Sequence, residues 1–98
     1  MILAAILILP ASATNLSGTI VYKTAKMVNA APLAQAMVSV YATANGAKSV
    51  TLSSDQGAYF FTKLAAGTYI IIVEKKGRRL YQGRVELRER GSRFDIRL

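Results

Sequence analysis

The chain has 98 residues, which allows a single domain. It contains no Cys and no His, which removes disulfides, thiolate chemistry, the commonest general base and the commonest zinc ligand. Thirteen Lys and Arg face five Asp and Glu, a formal net charge of +8 that favours anionic partners, and a hydrophobic fraction of 52% excludes a disordered tail.

Residues 2–9 are an unbroken apolar run, followed by Pro10 and Ala11-Ser12-Ala13. An apolar run that closes on a small-x-small site is how a secretory signal ends, so cleavage is expected after Ala13, leaving residues 14–98 as one domain. The run is too short for a membrane span, which needs about 20 apolar residues. It lacks the opening Lys or Arg of a signal, and a second reading stays open. In that reading residues 1–13 are retained as an apolar strand that adds to a neighbour's sheet edge.

Beyond this segment the apolar residues recur at period two, the strand signature. Leu16, Gly18, Ile20 and Tyr22 share one parity, then Val38, Val40 and Ala42, then Val50 and Leu52. Tyr59 and Phe61 follow, then Tyr69, Ile71 and Val73, then Tyr81, Gly83, Val85 and Leu87, and finally Phe94, Ile96 and Leu98. These sets are expected to face a common core. Turn signals separate them: Asn45-Gly46 as a tight hairpin, Ser54-Asp55-Gln56-Gly57, Lys76-Gly77, and Arg90-Gly91-Ser92. Residues 24–36 carry Pro32 and no apolar stripe, and are expected to form a loop. The spacing predicts an all-β fold, a seven-stranded antiparallel Greek-key sandwich.

The strongest local marker is Leu64-Ala65-Ala66-Gly67-Thr68-Tyr69. Its Leu-x-x-Gly-x-Tyr shape is that of a tyrosine corner, in which the ring packs in the core and the hydroxyl bonds back to the main chain. Leu64, Gly67 and Tyr69, with Asp55 and Gly57 of the turn before, are therefore expected to be structural.

With Gly18-Thr19-Ile20-Val21, the stretch from Ala31 to Val40, Ser54 to Phe61, Leu64 to Tyr69 and Phe94 to Leu98, the chain resembles the carboxypeptidase regulatory-like domain. That resemblance implies a transthyretin-like or immunoglobulin-like sandwich and a non-catalytic role, with no cofactor. Ala66 stands where the family often has Pro. Hydroxyisourate hydrolases share the transthyretin fold but use His, which is absent here, so that activity is not expected. Pilin-type relatives form an isopeptide bond. Lys23, Glu74 and Asp95 occur in the matching order, but Lys23 and Asp95 are out of phase with the core-facing positions and are expected in solvent.

Two surfaces are candidates for binding. Lys75, Lys76, Arg78, Arg79 and Arg84 gather charge at and after one hairpin tip, as an anion-binding face or as a charged edge that prevents strand aggregation. Ile70 and Ile72 alternate with the core-facing Ile71 and Val73 and, with Phe60, are expected to form an outward partner surface. The expected function is a non-enzymatic, exported binding or accessory module, secreted, periplasmic or at the cell surface. Its partner is expected to be a protein or an anionic glycan or lipid surface; nucleic acid is disfavoured. The alternative is a structural subunit of an extracellular fibre or pilus, a homo-oligomer built by strand addition of the apolar N-terminal segment.

Overall fold

A computed structural model of the chain describes residues 13–98. The apolar run at residues 2–9 lies outside the described residues. The strands are β1 (Ala13–Tyr22), β2 (Ala31–Pro32), β3 (Met37–Ala42), β4 (Lys48–Leu52), β5 (Ala58–Ala65), β6 (Gly67–Lys75), β7 (Arg78–Leu87), β8 (Ser92–Arg93) and β9 (Ile96–Arg97). They form two sheets. In the first, β1 is central, with β5 and β2 pairing it antiparallel. In the second the order is β4-β3-β6-β7, antiparallel throughout. The all-β sandwich expected from the sequence is the fold observed.

Alternation explains how the sheets close on one another. Leu16 and Ile20 of the first sheet and Val38, Val40, Ile71 and Val73 of the second are fully buried, joined by Tyr59, Phe61, Val85, Leu87 and Ile96. Tyr22, Tyr81, Phe94 and Leu98 pack against this cluster from the margins. Apolar burial of this kind contributes roughly 1.5–3 kcal/mol per large side chain and is the main force holding the sheets together.

Three expectations need correction. The closing strand is interrupted into β8 and β9, and both pair with β1 in parallel, not antiparallel. The break has a clear cause. Between them the Asp95 carboxylate accepts from the Thr19 backbone N–H at 2.9 Å and from its hydroxyl at 3.2 Å, so a side chain fills a ladder position. Secondly, Asn45-Gly46 does not close a two-residue turn. The Ala42 N–H donates to the Ala47 carbonyl at 2.9 Å, leaving a four-residue loop in which only Gly46 takes a positive φ, 73°. Thirdly, Val50 and Leu52 face outward, 49% and 58% exposed, and Ser49 and Thr51 point toward the core side. The register requires it, because Thr51 lies opposite Val38 and Ser49 opposite Val40, and paired residues share a face.

The chain crosses between sheets at four places among the described residues, and each crossing is held by a specific group. Before β3, Ser53 acts across the gap: its hydroxyl donates to the Leu33 carbonyl at 2.7 Å and accepts from the Ala36 N–H at 2.9 Å, fully buried. At the turn before β5, the Ser54 hydroxyl accepts from the N–H groups of Gln56 and Ala58, each at 3.2 Å. Gly57 has φ of 76°, and a Cβ there would lie 2.5 Å from the Ile20 carbonyl oxygen, so only glycine fits. Asp55 is exposed and its carboxylate accepts from the Gln35 side-chain amide at 3.4 Å, while the main-chain bonds of the turn are made by the Ser54 hydroxyl. At the last crossing, between β7 and β8, the Thr14 hydroxyl donates to the Arg88 carbonyl at 2.6 Å.

Between β5 and β6 stands the tyrosine corner. Tyr69 is 5% exposed and its hydroxyl donates to the Ala65 carbonyl at 2.8 Å, with Leu64 buried beside it and Gly67 at φ 144°. Tyr69→Phe keeps the ring and deletes only this bond. It is expected to lower stability by about 1 kcal/mol. A urea titration should show a lower midpoint with an unchanged slope.

Candidate functional site

The outward face of the four-stranded sheet can be laid out from its register. Leu52, Met37 and Glu74 form one row, Val50, Ser39, Ile72 and Gln82 the next, and Lys48, Tyr41, Ile70 and Arg84 the third. Six of these side chains are apolar or aromatic. Met37, Val50 and Leu52 are 42–58% exposed, and Tyr41, Ile70 and Ile72 are half-buried. Ser39, though on this face, is covered by its larger neighbours. The Lys48 ammonium lies over the Tyr41 ring, 5.4 Å from its centre.

Ile70 and Ile72 thus occupy the outward face expected of them. Phe60 is also outward, 55% exposed, but on β5 of the other sheet, opposite Ser17. It therefore belongs to the other side of the sandwich and forms no common surface with the two isoleucines.

The five basic residues are spread along a border, not gathered in a pocket. Lys76 and Gly77 form the two-residue β6–β7 turn, with positive φ of 53° and 78°. Arg78 lies opposite Lys75 at the end of the hairpin, and Arg79 opposite Glu74, with its guanidinium donating to Gln82 at 2.8 Å. Arg84 is exposed, opposite Ile70. Lys75 turns away from this border, its ammonium donating to the Ala34 carbonyl. A shallow cleft of about 190 Å3, lined by Met37, Leu52, Glu74, Lys75 and Lys76 among others, opens where the apolar rows meet the turn. It is smaller than the roughly 300 Å3 at which small-molecule pockets begin.

Two titratable groups elsewhere, Tyr59 and Asp95, serve the fold. Burial holds the Tyr59 hydroxyl protonated well above the usual tyrosine range, and it donates to the Phe94 carbonyl. The Thr19 N–H, then Arg93, hold the Asp95 carboxyl below the usual carboxylate range. Asp95 is paired with Arg93 at 3.0 Å and Lys23 is exposed, so neither has the buried setting an isopeptide bond requires.

The model of the carboxypeptidase regulatory-like domain family matches residues 15–98. The chain belongs to this family. Its tyrosine corner and the Ser54–Gly57 turn both fall within the matched residues. No curated protein matches the chain in sequence. Among solved structures, a DUF3823 family protein from Parabacteroides merdae is similar over 90% of this chain and 46% of its own, with 12% identity and a TM-score of 0.67. The Bacillus anthracis TIE protein is similar over 87% of this chain and 16% of its own, with 18% identity and a TM-score of 0.61. Both likenesses are of fold. The carboxypeptidase regulatory-like domain here spans less than half the length of either.

Proposed function

We propose that this carboxypeptidase regulatory-like domain is a non-enzymatic, exported docking module that receives a protein partner on the outward face of β4-β3-β6-β7. The observation that carries the reading is an apolar block bordered by cations: Met37, Val50, Leu52, Ile70 and Ile72 beside Lys48, Lys76, Arg79 and Arg84. The family's regulatory-like character supports a module that acts through contact. A bare anionic polymer uses the cations and leaves the apolar rows wet, whereas an apolar protein surface with an acidic rim uses both. The apolar block is about three residues deep and three strands wide, roughly 150–300 Å2 at ordinary strand spacings. That falls short of the ~800 Å2 per partner of a stable dimer and fits a small or transient contact.

The test is a photo-crosslinking residue placed at Val50, and separately at Phe60 on the other sheet, in the producing cell. Discrete adducts are expected from position 50 and none from position 60. Leu52→Asp should abolish the adducts at position 50. Equal labelling from both faces, or none from either, overturns the reading.

A further inference from the structure

The edge of the second sheet offers something its face does not. β7 pairs with β6 along its length, from Gly67↔Leu87 to Lys75↔Arg78, and among the described residues no strand pairs its other side. In an antiparallel ladder, alternate residues of such an edge strand turn both N–H and C=O outward. Sheet edges are normally blunted by shortness, Pro, bulges, inward-pointing charges or charged side chains along the edge, and of these only the last is present between Tyr81 and Leu87. Of the other edges, β4 has half the length of β7, five residues against ten, and β5 is broken by a register shift beside Lys63, which takes φ of 58°. β7 has ten residues and no Pro, its inward positions are Tyr81, Gly83, Val85 and Leu87, and its one irregularity falls at Leu80, near the turn. From Tyr81 to Leu87 the edge is regular and open.

Its charge selects what can pair there. Arg78, Arg79 and Arg84 lie on the strand, Lys76 and Arg88 flank it, and Glu86 is its only acid. A second copy would bring the same cations against these and be repelled, while an acidic segment would be attracted. We propose that β7 receives an extended, acidic segment of the partner as a fifth strand of this sheet. The inference rests on the docking reading and adds the partner's chemistry: a backbone in β conformation, with Asp or Glu on the side that meets Arg79 and Arg84.

The probe is a short blocked peptide alternating Val and Glu, titrated into the isotopically labelled full chain. Its control is the same peptide N-methylated at alternate residues, equal in charge but unable to complete a ladder. The outward amides between Tyr81 and Leu87 should exchange at least about tenfold more slowly with the first peptide and not with the second. Arg84→Glu should weaken binding by about tenfold, and Arg84→Gln by less. Equal binding of the N-methylated peptide overturns the proposal and leaves only charge attraction. Shifts centred on Val50 and Leu52 overturn it while sparing the docking reading, and absence of binding overturns it as well. Adducts from position 50 in the crosslinking test stand or fall independently of these outcomes.

Discussion

Gly18→Ala is expected to be the most damaging single-methyl change in this domain. A Cβ at position 18 would fall on the Phe94 carbonyl oxygen, 2.7 Å from the carbonyl carbon and 2.8 Å from the Tyr59 hydroxyl oxygen. These are not flexible ends that can swing away. Phe94 is fixed by its N–H donating to the Ser17 carbonyl at 2.9 Å, and the Tyr59 hydroxyl is bonded to that same Phe94 carbonyl. Relief therefore requires the closing strand to leave its place beside β1, uncovering Ile96, Phe94 and Leu98. The expected loss is about 3 kcal/mol or more, at the upper end of overpacking effects. For a domain this size each kcal/mol lowers Tm by roughly 4–8 °C. Tyr59→Phe separates the causes, since it removes the bond without the clash and should cost about 1–2 kcal/mol. A Gly18→Ala protein within about 0.5 kcal/mol of the parent would mean that the last strand is seated differently.

The second large effect is a contrast between neighbours. Ile71 is fully buried, opposite Val40 on one side and Gly83 on the other. Val40 is itself fully buried, and the Tyr81 ring already occupies the space over Gly83, so Ile71→Ala should leave a cavity and cost about 3–4 kcal/mol. Ile72, one residue on, is half-buried on the outward face opposite Ser39 and Gln82. Ile72→Ala should cost about 1 kcal/mol, because much of its surface already meets water. Urea titrations of the two variants measure the difference directly. Similar losses at both positions would mean that the outward face is covered within the folded domain, which removes the ground for a docking surface.

Most of this architecture was legible because parity is a strict constraint. Leu16, Ile20, Val38, Val40, Tyr59, Phe61, Tyr69, Ile71, Val73, Val85 and Ile96 all face the core from the sets their alternation defined. The tyrosine corner was legible because its three residues are local in sequence. β4 departs from its apolar parity because of the hairpin: residues joined across a ladder share a face, so Val38 and Val40 bring Thr51 and Ser49 inward. The apolar character of Val50 and Leu52 outweighs that pairing, which hides two of the six apolar or aromatic side chains of the candidate surface. Ser53, Ser54 and Asp95 were illegible for another reason. Each acts through one hydroxyl or carboxylate on a main-chain group, Ser53 and Asp95 on groups far away in sequence, and no composition or period marks such a residue. Phe60 shares the outward parity of Ile70 and Ile72, but the tyrosine corner between them marks a change of sheet, and Phe60 lies on the other one.

The parallel pairing of the first and last strands also determines how the domain carries load. Leu16 lies beside Ser92, Ser17 beside Arg93, Ile20 beside Ile96 and Val21 beside Arg97, so Ala13 and Leu98 lie toward opposite poles of the same sheet. Tension pulling those poles apart runs along the two strands in opposite senses. It shears their ladder bonds together, where an antiparallel end pair would open one bond at a time like a zipper.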